Sequence, residues 1–346
     1  SFRDNRLTLS EVDINTDIGQ LKFSGWLTNT GKNFTLNDIN IHTIKYGRGP
    51  LVIMVHGWPE SWYSWRHQIK PIAELGYKVL AIDVRGYGQS SKPSAVEKYD
   101  MLSLVGDIIG IIQIENVENA ILIGHDWGAP ICWSAAALHP DKIKAVIGLS
   151  IPHARRGKIS NIELWRQIYK DNFFYQTYFE KEGVVEEELE RDIGESLRKI
   201  YYWISAEGHD AKVRTNFDKD SKLLDGLIDP DPFPNWLTKE DLDFYINEFE
   251  NSGFRGPINR YRNQDRDWET IPELSNLKIE VPSFFIGGGK DSVRKFIKGY
   301  DMYENPGKNC TNFFGKLIIE EAGHWVQQEA PKKTTDGIIS FLEKLK

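Results

Sequence analysis

Three features of the sequence predict an α/β fold: a mostly parallel sheet flanked by helices, with an inserted helical cap. Short, continuous apolar runs alternate with helical patterns from residue 49 onward. A charged, helix-patterned stretch interrupts them after Ser150, and the strand pattern then returns for the last quarter of the chain. Upstream, "LKFSGWLT" and "FTLNDINIHTIKYG" carry turn and alternation signals that predict an antiparallel hairpin on the sheet edge. The runs "PLVIMVHG", "YKVLAIDVRG", "AILIGHD" and "KAVIGLS" follow, separated by "SWRHQIKPIAELG" and "PICWSAAALHP". Unbroken apolar runs suit parallel strands, which are buried on both faces, and strand–helix alternation predicts a parallel sheet wrapped by helices. Residues 153–270 contain "VVEEELERDIGESLRKIYYWI", "DPDPFPNW" and "TKEDLDFYINEFENSG" and read as the cap, leaving a core of 1–152 and 271–346 with 1–35 as an extension. "VPSFFIGG", "KLIIEEAG" and "TTDGIISFLEKLK" complete the sheet and its last helix.

Composition narrows the function classes. With 346 residues, 40% hydrophobic and 27% charged, the chain can bury a large core. A 12% aromatic share with eleven Trp suits an aromatic-lined site or a Trp-rich core. The net charge of −7, with scattered Lys and Arg, argues against nucleic acid as a partner. No stretch has the roughly 18 apolar residues of a membrane span. Cys132 and Cys310 form no C-x-x-C pair, so neither a disulfide framework nor a Cys-based zinc site is indicated. The expected location is cytoplasmic, although a start at Ser1 leaves room for a removed leader, and the expected state is monomer or homodimer.

The chemistry gathers around Gly124-His125-Asp126-Trp127-Gly128, a strand, a tight turn and a helix with small residues two before and two after the central one. That is the shape of a nucleophile elbow, better known as G-x-S-x-G. Taken alone, G-x-D-x-G fits a helix N-cap at Asp126 at least as well. Three strand ends add the missing parts. "VHGWPE" follows the first core strand and can aim the backbone N–H of Trp58 at the elbow; "IGGGKD" places Asp291, and "EEAGHW" places His324. Nucleophile, acid, histidine is the chain order of the α/β-hydrolase fold.

The stretches "HGWPESWYSWRHQI", "DVRGYGQSSKP", "GHDWGAPICW", "FFYQTYF", "SGFRGPINRYRN" and "AGHW" together make the chain, from about residue 36 to its end, resemble the soluble epoxide hydrolases of that superfamily. The resemblance implies Asp126 as nucleophile and Tyr175 and Tyr261 as the two cap tyrosines that bind the epoxide oxygen. It implies backbone N–H groups of Trp58 and Trp127 as the oxyanion hole, and Trp58, Pro59 and Trp127 in the substrate pocket. An aspartate is already an anion at neutral pH and can attack carbon unaided, giving an alkyl ester that water, activated by His324 and Asp291, then hydrolyses to a vicinal diol. The partners implied are a small apolar epoxide and water, with no metal or organic cofactor. His56, His125 and Trp127 are expected to support packing by their side chains, Trp62 and Trp65 to pack near the pocket, and Glu60 receives no role.

The chain departs from the family pattern at three places. Trp58 stands where the loop usually reads H-G-F-P, a glycine run before Asp291 is expected to loosen that loop, and residues 1–35 and 205–235 hold no assignable motif. Two rival functions remain. Haloalkane dehalogenases share an Asp nucleophile often followed by Trp but need no acid, whereas two tyrosines supply acids. A non-catalytic receptor on the same scaffold is the second. A serine esterase fits poorly, since G-x-S-x-G is absent.

Overall fold

Eight strands hydrogen-bond into one sheet in the order β10-β9-β8-β7-β5-β6-β4-β3. They are β3 (Lys32–Leu36), β4 (Ile39–Gly47), β5 (Leu51–Val55), β6 (Lys78–Ile82), β7 (Ala120–His125), β8 (Ile143–Leu149), β9 (Ser283–Gly288) and β10 (Phe313–Ile319). A separate antiparallel pair, β1 (Val12–Asn15) and β2 (Gln20–Phe23), precedes them. This computed structural model describes residues 12–15, 20–23, 32–36, 39–212 and 218–346.

From β5 to β10 every pairing is parallel, and only the β4–β6 and β3–β4 pairings at the edge are antiparallel. β5 and β7 are buried at every residue, which accounts for their unbroken apolar sequence. Helices Arg66–Glu74 and Pro331–Glu343 pack together, and Met101–Ile114 packs on Gly128–Leu138, giving the sheet its cover. The chain leaves β5 for β6 on one side and returns to β7 on the other, so the strand order reverses beside β5. In open α/β sheets the crevice outside the strand C-termini at such a reversal is where ligands bind.

One expectation needs correcting here. The edge hairpin forms within "FTLNDINIHTIKYG" alone, as Phe34 pairs with Ile41, whereas Leu21–Phe23 of "LKFSGWLT" pair back onto Val12–Ile14; the remainder of that stretch lies outside the described residues. Within the helical stretch 184–204 there are two helices, Val184–Glu190 and Ile193–Trp203. Asp192 separates them by turning its carboxylate to the Glu195 N–H as an N-cap.

Between β8 and β9 the described residues form a series of helices, from Asn161–Ile168 to Gln264–Thr270. Ser160, Asp192, Ser205 and Thr238 each cap a helix there. Its charges pair largely among themselves; Arg262, for example, meets Glu186 at 2.6 Å.

The elbow is set by contact distances. A Cβ on Gly124 would lie 2.2 Å from the Gly128 carbonyl oxygen, and one on Gly128 would lie 2.0 Å from the Val55 carbonyl oxygen. Gly128→Ala is therefore expected to cost on the order of 1–3 kcal/mol from overpacking. In urea unfolding this would lower the midpoint at unchanged slope, and a wild-type midpoint would contradict the close approach.

Candidate active site

Asp126 sits on the turn between β7 and the helix Gly128–Leu138 with φ +48°, a left-handed conformation that non-glycine residues rarely adopt. Trp127, not Asp126, holds the N-cap position, and no side chain caps this helix. The aspartate is thus free of the capping role the motif alone allowed. The residue is 9% exposed: Oδ1 accepts the Trp58 N–H at 2.8 Å, and Oδ2 lies 3.5 Å from His324 Nε2.

His324 Nδ1 lies 3.0 Å from Asp291 Oδ2, which leaves Nε2 facing Asp126. Burial would push the imidazole's pKa down, but Asp291 on one side and Asp126 on the other outweigh it and hold the pKa well above the ordinary value. Burial likewise opposes charge on Asp291, yet His324, the Tyr303 hydroxyl and the Val293 N–H bring its carboxyl below the usual range. The glycine run before Asp291 does not loosen its loop. A Cβ on Gly288 would meet the Gly323 carbonyl oxygen at 2.0 Å, and one on Gly287 would meet the Tyr303 ring at 2.6 Å, so these glycines bring the Asp291 and His324 loops together.

Tyr175 opens the helix Tyr175–Tyr178, and Tyr261 opens the turn Tyr261–Asn263. Their rings lie 5.9 Å apart, and Phe179 packs edge-on against both and against Trp58. Burial first, then the Asp126 charge for Tyr175 and the charges of Tyr175 and Asp126 for Tyr261, raise both phenols far above their ordinary pKa, so both stay protonated donors. A cavity of about 860 Å³ joins Asp126, His324, Trp58, Tyr175 and Tyr261. Its remaining wall is largely apolar, including Phe174, Ile200, Trp203, Val293 and Phe296.

The expected pocket residues divide. Trp58 lines the cavity, but Trp127 stands behind Tyr261 at 5.3 Å between rings, and Pro59 turns its carbonyl to the Tyr201 hydroxyl. Trp62 packs on Tyr63 and Phe244, and Trp65 is fully buried, so neither belongs to the lining; the aromatic content serves core and site alike. His56 fixes the loop after β5, its Nδ1 facing the Gly57 carbonyl and its Nε2 accepting the Val84 N–H.

Glu60 is the residue the sequence left without a role. It is fully buried, and its carboxylate accepts the Gly57 N–H at 2.9 Å, the Gln327 side chain at 2.8 Å and His125 Nδ1 at 2.7 Å. His125 Nε2 in turn lies 2.8 Å from the His324 carbonyl oxygen, so both ring nitrogens face acceptors. Ser150 Oγ donates to the same carbonyl at 3.0 Å, and the His324 N–H donates to the Ile204 carbonyl of the helical segment. His324 is thus held by its backbone as well as its ring. Among the described residues no cluster of three His, Cys, Asp or Glu is arranged to hold a metal ion, and no helix is long and apolar enough to cross a membrane.

Sheet order, elbow and buried Asp-His-Asp arrangement are those of an α/β hydrolase, and the family described as alpha/beta hydrolase fold matches residues 50–331. Epoxide hydrolase A of Mycobacterium tuberculosis is 38% identical over 312 residues, covering 89% of this chain and 96% of that protein. Among solved structures, epoxide hydrolase A of Mycobacterium thermoresistibile has TM-score 0.85 at 38% identity, over 90% of this chain and 97% of the other. An epoxide hydrolase from an endophytic Streptomyces has TM-score 0.86 at 39% identity, over 92% and 97%. The chain belongs to the α/β-hydrolase fold family and, within it, to the epoxide hydrolases.

Burial opposes charge on Glu60, yet His125 and the Gly57 N–H bring its pKa from 4.5 to about 2. An unfolded chain takes up this proton near 4.5 while the folded one waits until about 2, so stability should fall as pH drops through that window. Glu60→Gln is expected to flatten that limb of a stability–pH curve measured by denaturant unfolding. An unchanged limb would show that the ion pair does not carry it.

Proposed function

We propose that the protein adds water to an apolar epoxide to give a vicinal diol, with Asp126 as nucleophile, His324 and Asp291 as base and orienting acid, Tyr175 and Tyr261 as acids, and residues 153–270 as the cap that carries both tyrosines. The observation that supports this most is the shared cavity: one ionised carboxylate faces two phenols held protonated by burial and by its own charge.

In the first step Asp126 Oδ2, the oxygen not bound to the Trp58 N–H, forms a bond to a ring carbon as the carbon–oxygen bond breaks. Hydrogen bonds from the two tyrosines meet the developing charge, and one of them gives up its proton. Esterification removes the negative charge beside His324 Nε2, which lowers the imidazole's proton affinity and prepares it as a base. His324 then takes a proton from water, whose oxygen attacks the ester carbonyl carbon, while the Trp58 N–H and, in this reading, the Trp127 N–H stabilise the oxyanion. Collapse expels the alkyl oxygen, which receives the proton held by His324. The second water proton leaves as Asp126 returns to a carboxylate, and it restores the phenol.

An apolar wall of this extent favours an epoxide with bulky or extended apolar substituents, since each buried CH₂ contributes about 0.8 kcal/mol. The tyrosines also separate this reading from dehalogenation. A departing halide needs N–H donors and no acid, and the Trp127 side chain, a candidate donor, packs edge-on against Tyr261 outside the cavity lining.

His324→Gln is expected to complete the first step and stall at the second, so incubation with styrene oxide should raise the intact mass by that of the epoxide. Wild type should release diol from styrene oxide and no halide from 1,2-dibromoethane. Halide release without diol would favour the dehalogenase, and absence of both turnover and adduct would favour a non-catalytic receptor. Tyr175→Phe and Tyr261→Phe are each expected to slow esterification on the order of 100-fold, read by single-turnover kinetics. Retention of the wild-type rate by both would remove them from the acid role.

A further inference from the structure

Tyr303 lies outside the cavity lining and outside every motif singled out in the sequence, yet its hydroxyl reaches the Asp291 carboxylate. The residue is 1% exposed, and its oxygen lies 2.7 Å from Asp291 Oδ2 and 2.6 Å from the Ser150 carbonyl oxygen. Asp291 Oδ2 is also the oxygen facing His324 Nδ1 at 3.0 Å, while Oδ1 accepts the Val293 N–H at 2.9 Å. A phenol has one proton and two acceptors here, so it cannot satisfy both at once. A full donation to the ionised carboxylate is the stronger of the two bonds.

The ring is placed firmly. It packs on Phe285 at 4.9 Å, fills the space that Gly287 leaves, and lies under the Arg294 guanidinium at 5.3 Å. The Tyr303 N–H donates to Asp301 and its carbonyl accepts from Lys316. Ser150, its second acceptor, has φ +63° and donates its own hydroxyl to the His324 carbonyl. A closed circuit results, running from the His324 ring through Asp291, Tyr303 and Ser150 to the His324 backbone.

We propose that Tyr303 is a positioning residue of the epoxide-opening reaction, donating its hydroxyl proton to Asp291 Oδ2 and so weakening that carboxylate's hold on the His324 proton. The proposal rests on the assignment of His324 and Asp291 given above. Asp291 has to orient His324 without making it so basic that it stays protonated after Asp126 has become a neutral ester. A hydrogen bond from Tyr303 drains part of the charge that Asp291 presents to the ring. When His324 has taken a proton from water, the Ser150 carbonyl offers the phenol a second partner, and the full carboxylate charge becomes available to the imidazolium. The other titratable or charged groups facing this cluster are Asp126, His125 with Glu60 behind it, Tyr175, and Arg294 paired with Asp301.

Tyr303→Phe keeps the ring and removes the donor. His324 should then hold its proton more tightly, and the acid limb of ester hydrolysis, followed by single-turnover decay of the alkyl-enzyme, should move up by about one pH unit. Site-specific replacement of Tyr303 by 3-fluorotyrosine keeps the hydroxyl and makes it a stronger donor, so the limb should move the other way. A slower reaction at every pH with the limb unmoved, or both variants moving it in one direction, would overturn the proposal. The same titration read by NMR on nitrogen-15 histidine in the resting enzyme, with the His324 signal assigned from His324→Gln, needs no substrate. A shift there without diol formation by wild type would sink the assigned reaction and leave the Tyr303 interaction standing. No shift in an enzyme that does turn over would overturn the role of Tyr303 alone.

Discussion

The rest of the structure depends on how closely the backbone around β5, β7 and the following helix can pack. Gly128 faces the Val55 carbonyl with no room for a methyl group, and Gly124 faces Gly128 in the same way. That contact fixes the turn carrying Asp126 against the loop that follows β5, and so decides which amide meets the carboxylate. The strain at Asp126 persists because packing on both sides over-determines it. Moving the turn by an ångström would cost the Trp58 hydrogen bond and misplace the carboxylate relative to His324 together.

Around this turn, buried charge is arranged in alternation. Glu60 faces His125, His125 touches the backbone of His324, and the His324 ring lies between Asp126 and Asp291. Glu60 and Asp291 each have donors enough to hold their charge in the core, which is the condition for keeping charge there at all. The apolar cavity wall then works in the site's favour, since low polarity strengthens every remaining electrostatic contact. Helices carried between β8 and β9 supply part of that wall and both phenols, the loop after β9 adds Val293 and Phe296, and the sheet carries the carboxylate.

Much of this was legible in the sequence, for reasons of local physics. Buried parallel strands must be apolar throughout, a tight elbow must be flanked by small residues, and Asp291 and His324 fall just past strand ends, where loops converge. Tyr175 and Tyr261 were reached through the resemblance, because nothing local distinguishes them from other aromatic residues of a helical segment. Glu60, Ser150 and Tyr303 were not reached. Each acts through a partner distant in sequence: Glu60 pairs with His125 and Gln327, and Tyr303 reaches Ser150. One sequence does not reveal such pairings. The only local sign for Glu60 was a carboxylate set three residues after Gly57 in a loop otherwise apolar. The glycine run before Asp291 was misread as slack, since glycine permits both a mobile turn and a close contact, and only the facing Gly323 and Tyr303 decide between them.

The amide of Trp58 also makes the two oxygens of Asp126 unequal in fate. It binds Oδ1 alone, so under the proposed chemistry Oδ2 leaves with each diol and a solvent oxygen takes its place. One oxygen of the side chain stays with the protein for its lifetime, and the other is a reagent spent and restored on every cycle. After its first turnover the enzyme is no longer made only of the atoms the ribosome supplied, and the group that gave up an atom is also the one that recovers it.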